Sequence, residues 1–156
     1  MNENRLILPL AHAVQTDDWA DRLADLTGAC STAFARDEAR YLRAFHALLR
    51  AAPSAELIAG LAIPDAARFG ALIVASACDS AALSLLGASC GYMLSRGNEG
   101  EHMASVILPG QIEECTASGD SLALALVAAL ATALGTLPVL AETSGLAARR
   151  PALRLN

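Results

Sequence analysis

The stretch from Ser121 to Leu140 constrains the fold more than any other part of the sequence, because its twenty residues include no charged side chain. A second run, Phe69 to Leu94, is nearly as apolar and carries one charge, that of Asp79. Contiguous apolar segments of this length have to be removed from water. They can be covered by each other, by a second copy of the chain, or by lipid.

The Ser121–Leu140 stretch is long enough to cross the roughly 30 Å hydrocarbon core of a bilayer. Pro138 and the Gly135–Thr136 step, however, shorten the expected helix to about fifteen residues, a length more typical of a buried core helix. In the other run, Asp79 would cost at least a few kcal/mol in lipid. We therefore expect a buried helix at about 120–135, with two membrane spans at about 69–94 and 121–140 as the alternative.

The composition favours a single domain that associates with other copies of itself. The chain has 156 residues, of which 54% are hydrophobic and 17% charged, against about 25% charged in typical soluble domains. Few charges remain to coat a surface, so we expect a homo-oligomer, with a dimer favoured, or a protein partner. The formal net charge of −5 argues against nucleic-acid binding. All eleven basic residues are Arg, which is typical of GC-rich coding and indicates a bacterial source.

The cysteines predict reduced thiols and a cytoplasmic protein, with the inner membrane as the alternative location. Cys30, Cys78, Cys90 and Cys115 form no C-x-x-C pair and have no zinc-type spacing. The N-terminal apolar stretch is shorter than the roughly seven to fifteen residues of a signal peptide. No P-loop and no G-x-G-x-x-G motif occurs, so we expect no cofactor.

Apolar periodicity predicts two long helices. Thr16 is a suitable N-cap for a helix at about 17–52, in which Trp19, Leu23, Leu26 and Cys30 recur at spacings of three and four. Thr27–Gly28 is the place at which this helix would bend or divide. Pro64–Asp65 is a start signal for a second helix, which is expected at about 65–95.

Strand signals predict a small sheet beside these helices. The sequence at Arg5–Leu10, RLILPL, reads as a short strand, and a hairpin is expected at about 104–116 around the Pro109–Gly110 turn. The similarity of LILP and VILP suggests that these strands pair. Ser118 or Asp120 is expected to cap the last helix. The fold class is thus mainly α with a small β-hairpin or three-stranded sheet, an α+β fold.

The domain organisation follows from these elements. We expect one helical domain over residues 1–141. The tail at 142–156 is expected to be irregular, either a mobile terminus or a short docking peptide.

Asp79 is the first candidate for a functional role, as a polar anchor for a ligand. Ser76 and Ser80 lie beside it at helical spacing and would form a polar seam in an apolar helix. A buried carboxylate needs partners or a raised pKa, and such groups gather at functional sites. The alternative is that the seam faces solvent or that Asp79 pairs with an arginine.

A row of arginines is the second candidate. The row consists of Arg36, Arg40, Arg43 and Arg50, whose spacing places them on one helix face. Such a row can hold phosphates or an acidic partner. A solvated or oligomer-facing charged stripe is the alternative, and it is favoured because acidic residues lie beside the row and the chain is acidic overall.

Glu99, Glu101 and His102 are weak candidates for a metal site, with Glu113, Glu114 and Cys115 expected across the hairpin. Carboxylate and imidazole groups bind divalent metals. Their spacing matches no established site, so we expect no bound metal. No cysteine in the sequence has a convincing base nearby.

These observations favour a non-enzymatic bacterial interaction or structural protein that self-associates through its apolar helices. A small-molecule-binding or enzymatic domain with a pocket near Asp79 is the first alternative. A small membrane protein with two spans is the second.

Overall fold

The structure is a computed structural model that describes residues 7–137, with side chains described from residue 15 onward. Within that range the chain folds into five α-helices and one three-stranded antiparallel sheet, so the predicted α+β class is confirmed. The helices are α1 (Ile7–Thr32), α2 (Glu38–Arg50), α3 (Ala66–Val74), α4 (Cys78–Leu83) and α5 (Leu122–Gly135). The strands are β1 (Gly91–Arg96), β2 (His102–Ile107) and β3 (Cys115–Gly119).

Helix α5 forms the centre of the core, which confirms the predicted buried helix at about 120–135. Eleven residues of this fourteen-residue helix are buried. Helix α1 and strands β2 and β3 make its largest contacts, and α2 and α4 cover the rest of its surface. The cap is Ser121, whose hydroxyl accepts the Leu124 N–H at 3.2 Å. The predicted caps are therefore wrong: Ser118 lies within β3, and Asp120 bonds elsewhere.

The predicted helix at 17–52 is two helices, and the chain reverses between them at Phe34 rather than at Gly28. Phe34 has an extended backbone (φ −90°, ψ 152°), which ends the helical run before a short 3-10 turn at Ala35–Asp37. In the last turn of α1, side-chain hydroxyls donate hydrogen bonds to backbone carbonyls; the Ser31 hydroxyl donates to the Gly28 carbonyl at 2.8 Å. The reversal folds α2 back onto α1, and the Trp19 indole donates to the Leu48 carbonyl at 2.9 Å.

The side chains predicted to form the stripe of α1 do face the core. Trp19, Leu23 and Cys30 are buried, and Leu26 packs at the margin of the core. Helix α2 buries its own apolar face beside them, with Phe45 and Leu49 fully buried. The periodicity was therefore informative about the buried face, although it did not reveal the reversal.

The predicted helix at 65–95 is wrong beyond Val74. Helix α3 ends in a Schellman motif: the Ala77 N–H donates to the Leu72 carbonyl, and the Ser76 N–H donates to the Ile73 carbonyl. Ser76 holds the left-handed backbone conformation of that motif, with φ at 58°. The short helix α4 follows, and the chain then forms β1 instead of continuing as a helix.

The segment between α4 and β1 is fixed by a backbone contact with residues 60–62. Leu86 and Leu61 form an isolated antiparallel bridge, and the Ala62 N–H donates to the Leu85 carbonyl at 3.0 Å. A side chain on Gly87 would approach the Gly60 carbonyl oxygen to 2.3 Å, so only glycine permits this contact.

The predicted hairpin at about 104–116 is confirmed as β2 and β3, with its second strand displaced toward the C-terminus. The Pro109–Gly110 turn is also confirmed: the Gln111 N–H donates to the Leu108 carbonyl, and Gly110 has φ at 86°. The predicted strand at Arg5–Leu10 is wrong over its described residues, because Ile7 to Leu10 are helical in α1. Pro9 is tolerated there because the first turn of a helix needs no N–H from it.

No helix within residues 7–137 is long and apolar enough to cross a membrane. Of the two alternative spans, 69–94 divides into parts of α3, α4 and β1, and α5 ends at Gly135. The predicted tail at 142–156 lies outside the described residues.

Candidate interaction surface

Among residues 7–137, which the structure describes, strand β1 forms an open edge of the sheet. The sheet order is β1-β2-β3, so β2 is central and β1 has a strand on one side only. The register pairs Gly91 with Ile107 at one end and Arg96 with His102 at the other. The opposite edge strand, β3, packs against both α1 and α5, whereas β1 has substantial contact only with β2 among the described elements.

The turn between β1 and β2 fixes which backbone groups of β1 face the open edge. The Gly97 N–H donates to the Glu101 carbonyl at 2.8 Å, and the Gly100 N–H donates to the Gly97 carbonyl. With φ at 93° on Gly100, this is a type I turn closed by a glycine bulge. Gly97 and Glu101 are therefore a hydrogen-bonded pair of the ladder.

Hydrogen-bonded and non-hydrogen-bonded pairs alternate along an antiparallel ladder. Because Gly97–Glu101 is a hydrogen-bonded pair, the pairs two and four residues earlier in β1, at Ser95 and Met93, are hydrogen-bonded as well. Ser95 and Met93 therefore direct their N–H and C=O groups toward β2. Tyr92, Leu94 and Arg96 therefore direct theirs away from β2, toward the open edge. These three residues offer a row of backbone donors and acceptors of the kind that another strand can pair with.

Large apolar side chains surround this edge on both faces of the sheet. On the face that carries α5, Tyr92 is 55% exposed, and Leu94 is half-buried at the edge of the core. On the opposite face, Met93 is 61% exposed and Met103 43% exposed. Among the residues whose side chains are described, the other exposed large apolar ones lie outside the sheet, at Phe34, Val74, Leu83 and Ile112.

The edge has few of the features by which natural proteins block strand addition. Edge strands are commonly protected by proline, by charges along the strand, by bulges or by a covering helix. β1 has the sequence GYMLSR, which contains no proline and one charge, at its last residue. Arg96 is the final residue of the strand, so positions 91–95 present an uncharged edge.

The structure places Asp79 on the surface and not in a buried seam. Helix α4 buries Cys78, Ala81 and Ala82 against the core, which turns Asp79 and Ser80 toward solvent. The candidate buried carboxylate is therefore not observed, and the favoured alternative, a seam that faces solvent, is what Asp79 and Ser80 show. Whether Asp79, Ser76 and Ser80 bind a ligand stays a prediction.

The arginine row lies on the solvent face of the α1–α2 corner. Arg40, Arg43 and Arg50 are exposed on α2, and Arg36 precedes them in the 3-10 turn. Two of the guanidinium groups lie over neighbouring aromatic rings. The Arg36 guanidinium is 4.7 Å from the centroid of the Phe34 ring, and the Arg40 guanidinium is 5.4 Å from the centroid of the Tyr41 ring. Arg36 also pairs with Asp37 at 3.8 Å. A role in anion or partner binding stays a prediction.

The acidic groups predicted to meet across the hairpin lie at opposite ends of β2. Glu99 and Glu101 lie in the turn before β2, whereas Glu113 and Glu114 lie in the loop after it. A strand of this length separates its ends by roughly 17–20 Å. Within the described part of the chain, no group of three or more His, Cys, Asp or Glu residues could hold a metal ion.

Two open clefts lie on other surfaces. One of about 410 Å³ is bordered by the end of α1, the β1–β2 turn and the β3–α5 junction. Another of about 430 Å³ runs between α1 and α2 and is lined by Arg22, Leu26, Ala44, Ala47, Leu48 and Ala51. Asp79 lines neither of these two clefts.

Burial raises the pKa of three of the four thiols. It raises the pKa of Cys30 to about 12, and burial followed by the nearby Glu38 raises the pKa of Cys78 to about 11. Burial also raises the pKa of Cys90. Thiols of this kind are protonated and unreactive near neutral pH.

Strand β1 lies within the segment for which the apolar run predicts a helix at 65–95, so no strand was predicted there. The signal was nonetheless present: Gly91 precedes an aromatic residue, and a short Gly-containing loop separates GYMLSR from the strand-like HMASVI. Two apolar runs joined in this way are typical of a β-hairpin.

No protein-family model, curated protein or solved structure matches this chain.

Proposed function

We propose that this chain is a non-enzymatic interaction protein that self-associates, and that it does so through the open edge of β1. The observation that carries the proposal is the unprotected edge, with the backbone groups of Tyr92, Leu94 and Arg96 directed outward. Tyr92 and Met93, both more than half exposed, lie on the two faces of the same edge.

The proposal changes the surface that the sequence suggested. Self-association was expected to use the apolar helices, but α5 is enclosed by α1, α2, α4 and the sheet within one chain. Most of the surface of α5 is therefore not available to a second copy. The largest apolar side chains near a free backbone edge are those of β1 and its neighbour Met103.

Strand addition suits this edge physically. A strand that pairs with β1 supplies main-chain hydrogen bonds for affinity, and alternate side chains supply specificity. The added strand also covers apolar surface around Tyr92 and Met93, which contributes about 25 cal/mol per Å² removed from water. A chain with few surface charges offers little electrostatic resistance to such contact.

Sedimentation equilibrium at micromolar concentrations tests the proposal with two variants. Tyr92→Pro removes an outward N–H and an exposed ring, and proline is tolerated on the free side of an edge strand. The control, Ile112→Ser, removes a side chain that is 95% exposed and lies in the β2–β3 loop, away from β1. Circular dichroism and a urea midpoint establish that both variants fold.

We expect a concentration-dependent dimer for the unaltered protein and for Ile112→Ser, and a monomer for a folded Tyr92→Pro. A monomeric unaltered protein at all concentrations would overturn the proposed function. A dimer that persists in Tyr92→Pro would place the contact on another surface.

A further inference from the structure

We propose that two copies of this chain pair their β1 strands antiparallel about a two-fold axis that passes beside Leu94, and so form a continuous six-stranded sheet. This inference rests on the proposed self-association and specifies its register. It commits to a second copy of the chain as the occupant of the edge, because the β1 sequence is complementary to itself in one register.

Symmetry limits the register to a few choices. In a two-fold antiparallel pair, opposite residues must project from the same face of the sheet. The axis therefore passes beside a residue, and in the strand Gly91–Arg96 the two central choices are Met93 and Leu94. Each choice fixes every cross-strand pair.

The backbone favours the axis at Leu94. In that register Leu94 pairs with its own copy, and Tyr92 pairs with Arg96 of the second copy, so all three outward-facing residues find partners. With the axis at Met93, Tyr92 would pair with Leu94 and the outward groups of Arg96 would lie opposite Cys90, outside the strand. The Leu94 register therefore forms the longer ladder.

The side chains favour the same register. The single cation of β1, Arg96, comes to lie opposite its single aromatic ring, Tyr92, and symmetry produces this contact twice. A guanidinium over a tyrosine ring is an attractive pair. Both side chains are exposed in one copy, so neither has to leave a buried position to make the contact.

The other side chains of β1 are compatible with this pairing. Leu94 meets its own copy beside the core, and on the opposite face Met93 meets Ser95. No like charges come together along the paired strands, because Arg96 is the only charge in β1. Strand pairing therefore requires no rearrangement of the fold described above.

Disulfide crosslinking between introduced cysteines tests the register of the two β1 strands directly. The background is Cys115→Ser, which removes the half-buried thiol and leaves Cys30, Cys78 and Cys90 buried. In the Leu94 register, the two Leu94→Cys residues would form a hydrogen-bonded pair with Cα atoms about 5.5 Å apart, within the span of a disulfide. The two Met93→Cys residues would be offset by two positions, at about 8 Å, beyond that span.

We expect Leu94→Cys to give a disulfide-linked dimer under mild oxidation and Met93→Cys to remain mainly uncrosslinked. Crosslinking of Met93→Cys without Leu94→Cys would overturn the Leu94 register while leaving self-association through β1 intact. Absence of both crosslinks in a protein that sediments as a dimer would overturn the β1 pairing. A protein that sediments as a monomer would overturn the proposed function itself.

An exchange of side chains tests the Tyr92–Arg96 contact independently of oxidation. Tyr92→Arg places two cations opposite each other, and we expect it to weaken the dimer by about tenfold. The double variant Tyr92→Arg, Arg96→Tyr restores the cation–aromatic pair with its members exchanged. Recovery of the dissociation constant to within about threefold supports the register, and additive weakening would overturn it.

Discussion

The carboxylate of Asp120 accepts a hydrogen bond of 2.7 Å from the backbone N–H of Ala35, 85 residues earlier in the chain. Ala35 begins the 3-10 turn between α1 and α2, and Phe34 at the start of that turn provides no side-chain cap. Asp120 therefore supplies from a distant strand–helix junction the acceptor that the turn lacks locally.

Replacement of Asp120 by Ala should lower the free energy of unfolding by about 1 kcal/mol, the usual cost of losing a capping acceptor. Asp120→Asn retains an acceptor oxygen and should lose less. Urea denaturation followed by circular dichroism measures both changes. Equal loss in Ala and Asn would show that the charge, rather than the hydrogen bond, stabilises this corner.

Gln111 connects the β2–β3 loop to the end of α5. Its side-chain oxygen accepts the Leu108 N–H at 3.0 Å, and its amide donates to the Ala133 carbonyl at 2.7 Å and to the Thr136 hydroxyl at 3.0 Å. Ala133 is in the last turn of α5, where carbonyls lack intrahelical partners. One side chain thus fixes both the turn and the helix end.

Gln111→Ala should destabilise the fold by roughly 1–3 kcal/mol, because it leaves the part-buried Leu108 N–H without its acceptor and removes one of the two side-chain donors to the Ala133 carbonyl. Glu113→Ala, in the same loop but exposed, is the control and should change stability little. Thermal denaturation compares the two. A Gln111→Ala variant as stable as the control would contradict this assignment.

Ser76 occupies the left-handed position of the Schellman motif, which glycine adopts without steric cost. Ser76→Gly should therefore stabilise the protein, by about 0.5–1 kcal/mol after the added flexibility of the unfolded chain is counted. Ser80→Gly, in the interior of α4, should instead destabilise it. A denaturant midpoint that falls for Ser76→Gly would show that the Ser76 side chain has a role beyond this backbone conformation.

The thiols should differ sharply in reactivity. The pKa values of Cys30 and Cys78 are raised by burial to about 12 and about 11, so neither thiol ionises appreciably at about pH 8. Cys115 is only half-buried. A maleimide reagent should label one thiol per native chain quickly, and Cys115→Ser should abolish that phase. Rapid labelling of two or more thiols would contradict the buried positions of the others.

The elements that the sequence predicted correctly are those that their own residues determine, through local propensity and apolar periodicity. An uncharged apolar stretch predicted the buried helix α5, although not its Ser121 cap, and Pro109–Gly110 predicted the turn between β2 and β3. Trp19 and Leu23 were placed on the buried face of α1 by spacing alone. Local propensity and periodicity are sufficient for features of this kind.

The elements that the sequence did not predict depend on distant contacts. The reversal at Phe34 is supported by Asp120, and the segment that leads into β1 is fixed by the approach of Gly87 to Gly60. Neither contact leaves a periodic signal in the sequence. The candidate surface was missed for a different, local reason: an apolar run such as Phe69–Leu94 does not by itself distinguish a buried helix from a strand, and it outweighed the hairpin signal at GYMLSR and HMASVI.

Amide hydrogen exchange of β1 as a function of protein concentration tests the central claim most directly. Met93 and Ser95 bond within the chain to β2, so the protection of their amides should not depend on association. The Leu94 amide faces the open edge and should become protected as concentration rises over about a hundredfold range through the dimer transition. A Leu94 amide that exchanges freely at every concentration would contradict strand pairing through β1.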